Sequence, residues 1–512
     1  MATLPTLNRA LLRSPDFRDR AKVIAPTDAQ LELPERAVQF GTGGFLRGFI
    51  DFFIDEANRR GEFHGRIVAI GSTGSGRDAR INDQDGLYTL SSRGLVDGTL
   101  AVEHRIVGSV SRALSAQGEW GAALECARNP ELRIVFSNTT EVGIALDESD
   151  TDPEAVPPRS FPAKLARFLF ERARTFGYDV AKGVVIVPCE LIEHNGDGLR
   201  EIVLALATRW KLDARFARWI EQAVPFCNTL VDRIVPGAPP PDEARKLAET
   251  LGYEDAMLTT AEPYRLFAIE QPRGVADIRE RLGFTRADDG IIVTDDIAPY
   301  RLRKVRMLNG THTTMVSLAL LAGCATVRDA LEHELVGQFI RRVLLDEIVV
   351  ATEVPEGAEF AHEVLERFAN PYIRHALIDI TLQGTMKMRV RVIPSIVEYA
   401  ERTGRVPASL AFGFAAFLSR MRESDANVPS SAGARIPADD HAAELRAYWR
   451  DGDGSTAATT LVAERICGDV ALWGVDLRAV PRFLDTVTED LIRIQRDGVI
   501  AALEAHLSEV VV

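Results

Sequence analysis

Residues 38–48 read Val-Gln-Phe-Gly-Thr-Gly-Gly-Phe-Leu-Arg-Gly, the most informative stretch of the N-terminal half. A short apolar run ends at Gly41, and an amphipathic segment with helical spacing follows over residues 49–60. In this setting Gly41 permits a tight turn, Gly43 lets a phosphate approach the backbone, and the helix start supplies amide donors. Leu46 replaces the third glycine of the G-x-G-x-x-G pattern, so a purely structural turn is the alternative. The stretch predicts a dinucleotide site formed by Gly41, Gly43, Gly44, Phe45 and Leu46.

The spacing of apolar residues predicts the fold class, which is α/β. Apolar runs of strand length alternate with amphipathic helical segments in the first half; the runs lie at residues 37–40, 66–70, 133–136 and 183–187. Such alternation is typical of a parallel sheet covered on both faces, which indicates a Rossmann-like doubly wound domain. Beyond about residue 298 segments with a 3.6-residue rhythm dominate. We therefore predict a dinucleotide-binding Rossmann-type domain over residues 1–297 and a mainly helical substrate and catalytic domain over residues 298–512.

The composition excludes several classes of protein. The chain has 512 residues and a formal net charge of −14, which excludes a nucleic-acid binder that works by bulk positive charge. Five scattered cysteines without a C-x-x-C pair indicate a reducing compartment. The N-terminus lacks a secretory pattern, and no apolar stretch is long enough to cross a bilayer. The expected protein is cytoplasmic and binds a small-molecule substrate, with no nucleic-acid, membrane or metal partner; its oligomeric state stays open.

Two further segments are predicted to contact the cofactor. The second strand ends in a carboxylate-free Gly-Ser-Thr-Gly-Ser-Gly-Arg run, in which Ser72, Thr73 and Arg77 can receive the 2′-phosphate of NADP. Alternatively, Asp78 or Asp83 reaches back to an NAD ribose, or Arg77 is simply solvated. Residues 138–140 follow a predicted strand, where open parallel sheets place ligands, so Asn138, Thr139 and Thr140 are predicted near the nicotinamide ribose; a turn role is the alternative.

The segment Lys304–His312, KVRMLNGTH, carries the candidate chemistry. At about 100° per residue on an α-helix, Lys304, Asn309 and His312 share the apolar, buried-looking face, and Arg306, Thr313 and Ser317 lie opposite. A buried ammonium is costly unless it is paired or used, and desolvation favours the neutral amine that a general base needs. We predict that Lys304 exchanges the proton of a secondary alcohol while Asn309 and His312 hold its oxygen. The alternative is a lysine whose amine reaches solvent beside a core histidine.

These residues resemble a known family. The run KVRMLNGTHT at 304–313 resembles the K-x4-N-x2-H signature of the mannitol dehydrogenase family of polyol-specific long-chain dehydrogenases. The run FCNTLVDRIVPG at 226–237 resembles its second signature, and QFGTGGFLRGF at 39–49 resembles its nucleotide turn. Three further runs resemble the tagaturonate reductase branch of that family: QDGLYT at 84–89, SNTTE at 137–141 and CELI at 189–192.

The resemblance implies an NAD-linked, reversible reduction of the keto-uronate D-tagaturonate to D-altronate, a step in galacturonate breakdown, with NADP left open. It implies Lys304 as acid/base and Asn309 and His312 as oxygen-binding partners. It also implies Asp232 near the substrate, unless that carboxylate pairs with Arg233. Asn195 matches the family's asparagine–glycine pair and is predicted to bind substrate. Polyol members carry Cys-Asp-Asn where this chain has Cys-Glu-Leu ending at Leu191, which argues against mannitol. Fructuronate reductase and a mannitol-type polyol dehydrogenase are the alternatives.

A uronate also needs a partner for its carboxylate. The run Lys-Met-Arg-Val-Arg at 387–391 places three basic residues at alternate positions, which face one way if the run is extended. Arginine and lysine both bind carboxylates, arginine through paired donors. We predict Lys387 or Arg389 as the carboxylate ligand; the alternative is a solvated basic strip.

Overall fold

Five apolar strands form a parallel sheet in the computed structural model, which describes residues 4–15, 17, 23–72, 76–139, 143–422, 439–450 and 454–509. The strands of this sheet are β1 (Glu35–Phe40), β2 (Arg66–Gly71), β5 (Val110–Ser115), β6 (Ile134–Ser137) and β7 (Val185–Pro188). Their order across the sheet is β5-β2-β1-β6-β7, so the chain winds outward in both directions from β1. The predicted doubly wound sheet is therefore confirmed.

The chain divides into two compact units. The first comprises Met1–Arg93 and Leu100–Ile297, and the second comprises Gly94–Thr99 and Ala298–Val512. Gly94–Thr99 is the tip of the hairpin formed by β3 (Tyr88–Val96) and β4 (Thr99–Val107).

The parallel sheet is buried on both faces because its strands are apolar at successive positions. In β1, Ala37 belongs to one hydrophobic core and its neighbours Val38 and Phe40 belong to another. Helices cover the strands, and the described helices of this unit are Arg9–Arg13, Asp28–Leu31, Gly44–Gly48, Ile50–Arg59, Arg77–Asp83, Trp120–Ala127, Phe161–Thr175, Asn195–Arg209, Ala214–Ala223, Pro241–Leu251 and Ile278–Leu282. A strand buried on both faces needs apolar residues at every position, which is why continuous apolar runs marked these strands in the sequence.

Two smaller three-stranded sheets complete the first unit. One has the order β11-β10-β8, formed by Ile291–Thr294, Leu266–Glu270 and Thr229–Asp232. In the other, β3 lies between β4 and β9 (Thr259–Ala261). The second sheet pairs β9 with β3 in parallel, and Thr259 of β9 also contacts the glycine turn after β1.

The second unit is helical. Its helices are Ala298–Arg303, Lys304–Gly310, Thr311–Leu321, Val327–Glu332, Glu334–Arg341, Arg342–Ile348, Val349–Ala351, Gly357–Ala369, Leu377–Ile380, Gly384–Arg391, Ile393–Thr403, Ala408–Arg422, Ala442–Trp449, Thr456–Cys467, Val470–Trp473, Phe483–Asp497 and Val499–Glu509. Ala408–Arg422 is buried along almost its whole length, so it is a central helix of this unit. Close packing against it requires glycine at Gly413, whose Cβ would lie 2.3 Å from Cγ2 of Thr314.

Within the described residues, no helix combines the length and apolar character that crossing a membrane requires. The same residues contain no group of three or more histidine, cysteine, aspartate or glutamate side chains placed to hold a metal ion.

Asp490 makes the stability of the helical unit depend on pH. It lies on Phe483–Asp497 with 3% of its surface exposed, and burial raises the pKa of its carboxyl to about 7. Glu489 and Glu509 add to this rise in pKa, and Arg493 opposes it. An unfolded aspartate has a pKa of about 3.9, so the folded protein holds this proton more tightly. The contribution of this bound proton to the free energy of unfolding is therefore complete below about pH 4 and is lost as the pH rises towards 7.

Replacing Asp490 with asparagine is therefore expected to raise the free energy of unfolding relative to wild type above pH 7, by at most about 4 kcal/mol. Thermal unfolding midpoints at pH 5 and pH 8 measure the effect, and the advantage of the variant should be larger at pH 8. Asp485→Asn, at an exposed position on the same helix, is the control and should not reproduce it. An advantage that is equal at both pH values would contradict the assignment.

Candidate functional site

The glycine turn after β1 has the geometry of a phosphate-binding turn. Gly41 has φ +138°, a backbone conformation that favours glycine, and its amide donates to the carbonyl of Ile70 at 2.8 Å. A Cβ on Gly43 would have no described heavy atom within 4 Å, so open space lies directly above this residue. The turn follows β1 beside β6, where the strand order reverses and open α/β sheets bind ligands.

Leu46 and Gly48 explain the departure from the three-glycine pattern. Leu46 is buried, and its Cδ1 lies 2.8 Å from the ideal Cβ position of Gly41, so its side chain fills the space beneath the turn. A Cβ on Gly48 would lie 2.6 Å from Cγ1 of Val235. Gly48 thus provides the close packing of the helix that the third glycine of the pattern provides elsewhere. The side chain of Leu46 packs beneath the turn, and the predicted contact of Leu46 with the cofactor stays a prediction.

Arg47 forms a hydrogen bond to the glycine turn, and no sequence pattern identified it. It is buried, and its guanidinium donates to the carbonyl of Thr42 at 2.6 Å and to Oγ1 of Thr259 at 3.1 Å. The Tyr88 hydroxyl lies 2.8 Å from the carbonyl of Arg47 and 3.0 Å from Oδ2 of Asp51. Burial raises the pKa of Asp51 to about 7. This network fixes the turn and places a cation beside it.

The carboxyl ends of β6 and β7 meet at a buried glutamate. The Asn138 amide donates to the carbonyl of Cys189 at 2.7 Å, and the backbone N–H of Thr139 donates to Oε1 of Glu190 at 2.9 Å. The Ser137 hydroxyl donates to the other carboxylate oxygen of Glu190 at 3.1 Å. Burial raises the pKa of Glu190 despite these donors. Asn138 and Thr139 therefore lie at the carboxyl end of β6, where Asn138 is bonded to Cys189 and Thr139 to Glu190; Thr140 lies outside the described residues.

The end of β2 is only partly described. Ser72 follows β2 and is half-buried, and Arg77 is exposed at the start of the helix Arg77–Asp83. Thr73 lies outside the described residues. The predicted contacts of Ser72 and Arg77 with the adenosine end of a cofactor stay predictions.

Asn195 forms buried hydrogen bonds within the first unit. It is fully buried, and its side-chain nitrogen donates to the carbonyl of Glu190 at 3.0 Å and to Oγ1 of Thr229 at 3.1 Å. Its side-chain oxygen accepts from the backbone N–H of Thr229 at 2.9 Å. These bonds connect the end of β7 to β8, and the predicted contact of Asn195 with substrate has no support in this geometry.

Asp232 is buried at the end of β8. The neighbouring Arg233 directs its guanidinium to the carbonyls of Gly48 and Glu262, at 2.7 and 2.9 Å, and to Oγ of Ser92 at 3.2 Å. Burial lowers the pKa of Arg233 to about 9. The guanidinium of Arg233 is thus bonded to the end of the helix that follows the glycine turn. The contact of Asp232 with substrate stays a prediction.

The run that carries Lys304, Asn309 and His312 is helical, but its first part is not an α-helix. Lys304–Gly310 is a π-helix, and an α-helix follows from Thr311 to Leu321. The prediction of about 100° per residue was therefore wrong for this segment. Hydrogen bonds run from i to i+5 in a π-helix, so residues five apart lie closer in angle than the roughly 140° of an α-helix. Lys304 and Asn309 are five apart, and the π-helix brings them towards one side.

The burial of this run also differs from the prediction. Lys304 and Asn309 are half-buried and His312 is buried, whereas the residues predicted on the opposite face, Arg306, Thr313 and Ser317, are buried as well. Arg306 donates to Oγ of Ser395 at 3.1 Å and to Oε1 of Glu398 at 2.9 Å. Most residues from Arg306 to Ala319 are buried, and Lys304 and Asn309 are half-buried polar positions of this run.

Two hydroxyl groups and a close backbone contact lie at the C-terminal end of the π-helix. The side chains of Thr313 and Thr314 donate to the carbonyls of Asn309 and Gly310, at 2.8 and 2.9 Å. A Cβ on Gly310 would lie 3.1 Å from the carbonyl oxygen of Arg391. The end of the helix Gly384–Arg391 therefore reaches the π-helix directly at Gly310.

Two aromatic rings surround His312, and neither was predicted from the sequence. The Phe368 ring stacks on the imidazole at a centroid distance of 4.2 Å, and the His375 ring meets it edge-on at 4.9 Å. Both residues lie more than 50 positions along the chain from His312, and no local motif marks them. This contact places His375 beside a predicted substrate-binding group.

The basic run at 387–391 is helical, and the predicted extended arrangement was wrong. It ends the helix Gly384–Arg391, on which residues two apart point to different sides. Lys387 is half-buried and donates to the carbonyl of Ile380 at 3.0 Å. Arg389 is exposed and donates to the carbonyl of Ala471 at 3.2 Å. The two candidates therefore point to different sides of the helix. Burial lowers the pKa of His375, and the charge of Lys387 lowers it further.

Residues 35–279 match the Rossmann domain of mannitol dehydrogenase, and residues 296–495 match the C-terminal domain of mannitol dehydrogenase. The chain therefore belongs to the mannitol dehydrogenase family, as the sequence motifs predicted. It is 41% identical over 479 residues to the altronate oxidoreductase of Bacillus subtilis, covering 94% of this chain and 96% of the relative. It is 40% identical to the altronate oxidoreductase of Yersinia enterocolitica over 92% of this chain and 97% of the relative.

Two solved structures share this fold. The mannitol 2-dehydrogenase of Pseudomonas fluorescens, solved as a ternary complex with NAD and D-mannitol, is 24% identical with a TM-score of 0.68, covering 98% of this chain and 100% of that chain. A substrate-free D-sorbitol dehydrogenase is 23% identical with a TM-score of 0.77, covering 97% of this chain and 100% of that chain.

Proposed function

We propose that this protein is an altronate oxidoreductase that interconverts D-tagaturonate and D-altronate with a nicotinamide dinucleotide. The observation that carries the proposal is the identity of about 40% to altronate oxidoreductases over more than nine-tenths of the chain. Leu191 argues against a polyol substrate, because this exposed leucine replaces an asparagine of the polyol enzymes.

The first unit fits a dinucleotide cofactor. The open space above Gly43 can admit a phosphate, and Arg47 lies against the same turn. Asn138 and Thr139, at the end of β6, are the candidates for the nicotinamide ribose. NAD is the cofactor we propose first; NADP stays open, since Ser72 and Arg77 can receive a 2′-phosphate. When bound, the nicotinamide supplies the hydride acceptor or donor of the reaction.

The second unit supplies the groups that act on the substrate. Lys304 takes the proton of the alcohol during oxidation and returns it to the carbonyl oxygen during reduction. Asn309 and His312 bind the substrate oxygens and stabilise the charge that develops there. The π-helix assists because it brings Lys304 and Asn309 towards one side, and the stacking of Phe368 on His312 fixes the imidazole plane. Lys387 is the candidate for the substrate carboxylate.

NAD(P)H absorbance with D-tagaturonate, D-fructuronate and D-fructose tests the proposal. We expect kcat/KM for tagaturonate to exceed that for fructuronate at least about tenfold and that for the uncharged fructose by more, because a hydroxyl-binding site discriminates strongly against a misplaced group. NADH and NADPH are compared in the same assay. A preference for fructuronate would reassign the enzyme to the reductase of that acid, and a preference for fructose would overturn keto-uronate reduction altogether.

A further inference from the structure

His375 is a second imidazole at the substrate side of the helical unit. Its ring meets the ring of His312 edge-on at 4.9 Å, and the Phe368 ring stacks on the same imidazole. All three residues belong to the helical unit. An extended six-carbon chain is longer than the separation of the two imidazole rings. A substrate whose oxygen is bound by His312 can therefore also reach His375.

The backbone on both sides of His375 is fixed. Its carbonyl accepts from the backbone N–H of Val327 at 3.0 Å, and Ala376 forms an antiparallel bridge with Thr326. The next amide, of Leu377, donates to the carbonyl of Ala325 at 3.0 Å. The imidazole is thus presented from a rigid position, as preorganised binding groups are, although its side chain stays half-buried rather than enclosed.

Two charged side chains act on His375 in opposite directions, Asp379 more strongly than Lys387. Burial lowers its pKa, and the nearby ammonium of Lys387 lowers it further, while Asp379 opposes the shift. The Lys387 amine donates to the carbonyl of Ile380 at 3.0 Å. Burial and then the charge of Arg391 lower the pKa of Lys387 itself. An ammonium and an imidazole N–H are both hydrogen-bond donors that a carboxylate accepts.

We propose that His375 and Lys387 bind the carboxylate of the sugar acid and that His375 is a specificity-determining residue for acids over neutral ketoses. The inference rests on the proposed function, because it assumes a keto-uronate substrate. In this arrangement His312 holds an oxygen near the reacting carbon, and the neighbouring imidazole donates its N–H to the carboxylate. Arg389, which the sequence offered for this role, instead bonds to the carbonyl of Ala471.

A matched pair of variants tests the role of His375. His375→Phe keeps an aromatic ring against His312 but removes the N–H donor, and His375→Asn keeps a donor. The phenylalanine variant is expected to raise KM for tagaturonate about tenfold, the usual effect of losing one hydrogen bond to a charged group, with kcat within about threefold of wild type. The asparagine variant should recover part of the loss. NADH affinity, measured by fluorescence titration, should not change in either variant.

The neutral ketose D-tagatose separates recognition of the carboxylate from a general disturbance of the site. Used as a competing ligand, it should inhibit wild type and His375→Phe with the same constant. An unchanged KM for tagaturonate, or an equal loss for both ligands, would overturn the assignment of His375. A wild-type enzyme that prefers neutral ketoses would instead overturn the proposed function, so the two failures are distinguishable.

Discussion

Replacing Lys304 with methionine is expected to lower kcat for tagaturonate reduction about 1,000-fold, within the range that a general acid or base contributes. Methionine has a side chain of similar length, so the half-buried position on the π-helix stays filled while the proton donor is lost. KM for tagaturonate and the affinity for NADH should stay within about threefold of wild type. Stopped-flow or steady-state NADH absorbance measures kcat, and fluorescence titration measures cofactor affinity.

Two further variants separate the proton from the charge. Lys304→Arg keeps a cation but does not release its proton near neutral pH, so we expect it to be as slow as the methionine variant. Lys246→Met removes an exposed lysine from the helix Pro241–Leu251 and is the matched control, with an expected kcat equal to that of wild type. A methionine variant at position 304 that keeps more than a tenth of the wild-type kcat would remove Lys304 from the chemistry.

The sequence predicted the parallel sheet well for a physical reason. A strand buried on both faces must be apolar at nearly every position, so β1, β2, β6 and β7 stood out as short apolar runs. The glycine turn was also legible, because a positive φ at Gly41 favours a residue without a side chain, and the space beside Gly43 is open. Features that depend only on neighbouring residues can therefore be predicted from a short stretch of sequence.

The parts that the sequence did not predict depend on contacts between distant residues. The seven-residue π-helix at Lys304–Gly310 has an apolar pattern too short to distinguish it from an α-helix, and Gly310 packs closely against Arg391, which is distant in the sequence. The basic run at 387–391 carries alternating charges that fit a strand, yet packing makes it helical.

The same limit applies to the buried groups around the site. Glu190 collects donors from β6, and His375 reaches His312 from another segment of the helical unit. Arg47 reaches Thr259 across 212 positions of the chain. None of these three pairings has a sequence spacing that a motif could encode, because each is fixed by the packing of separate elements.

Replacing Gly43 with alanine is expected to weaken dinucleotide binding about 10- to 100-fold without unfolding the protein. Gly43 has φ −71° and ψ 163°, which alanine adopts without strain, and no described atom lies within 4 Å of the added Cβ. The methyl group would therefore occupy only the space in which we place the phosphates, and it would push them away from the backbone donors of the turn. Fluorescence titration with NADH measures the loss, and the thermal unfolding midpoint of the free protein should change by no more than a few degrees.

Gly41→Ala is the contrasting variant, because it should impair the fold before it impairs binding. Its φ of +138° is unfavourable for alanine, and the added Cβ would lie 2.8 Å from Cδ1 of the buried Leu46. We expect this variant to lose about 1–3 kcal/mol of stability and to show a lower unfolding midpoint without any ligand. The two variants thus distinguish Gly41, which the conformation of the turn requires, from Gly43, which we expect the ligand to require. If Gly43→Ala bound NADH as tightly as wild type, the phosphates would have to pass elsewhere, and the turn would be structural only.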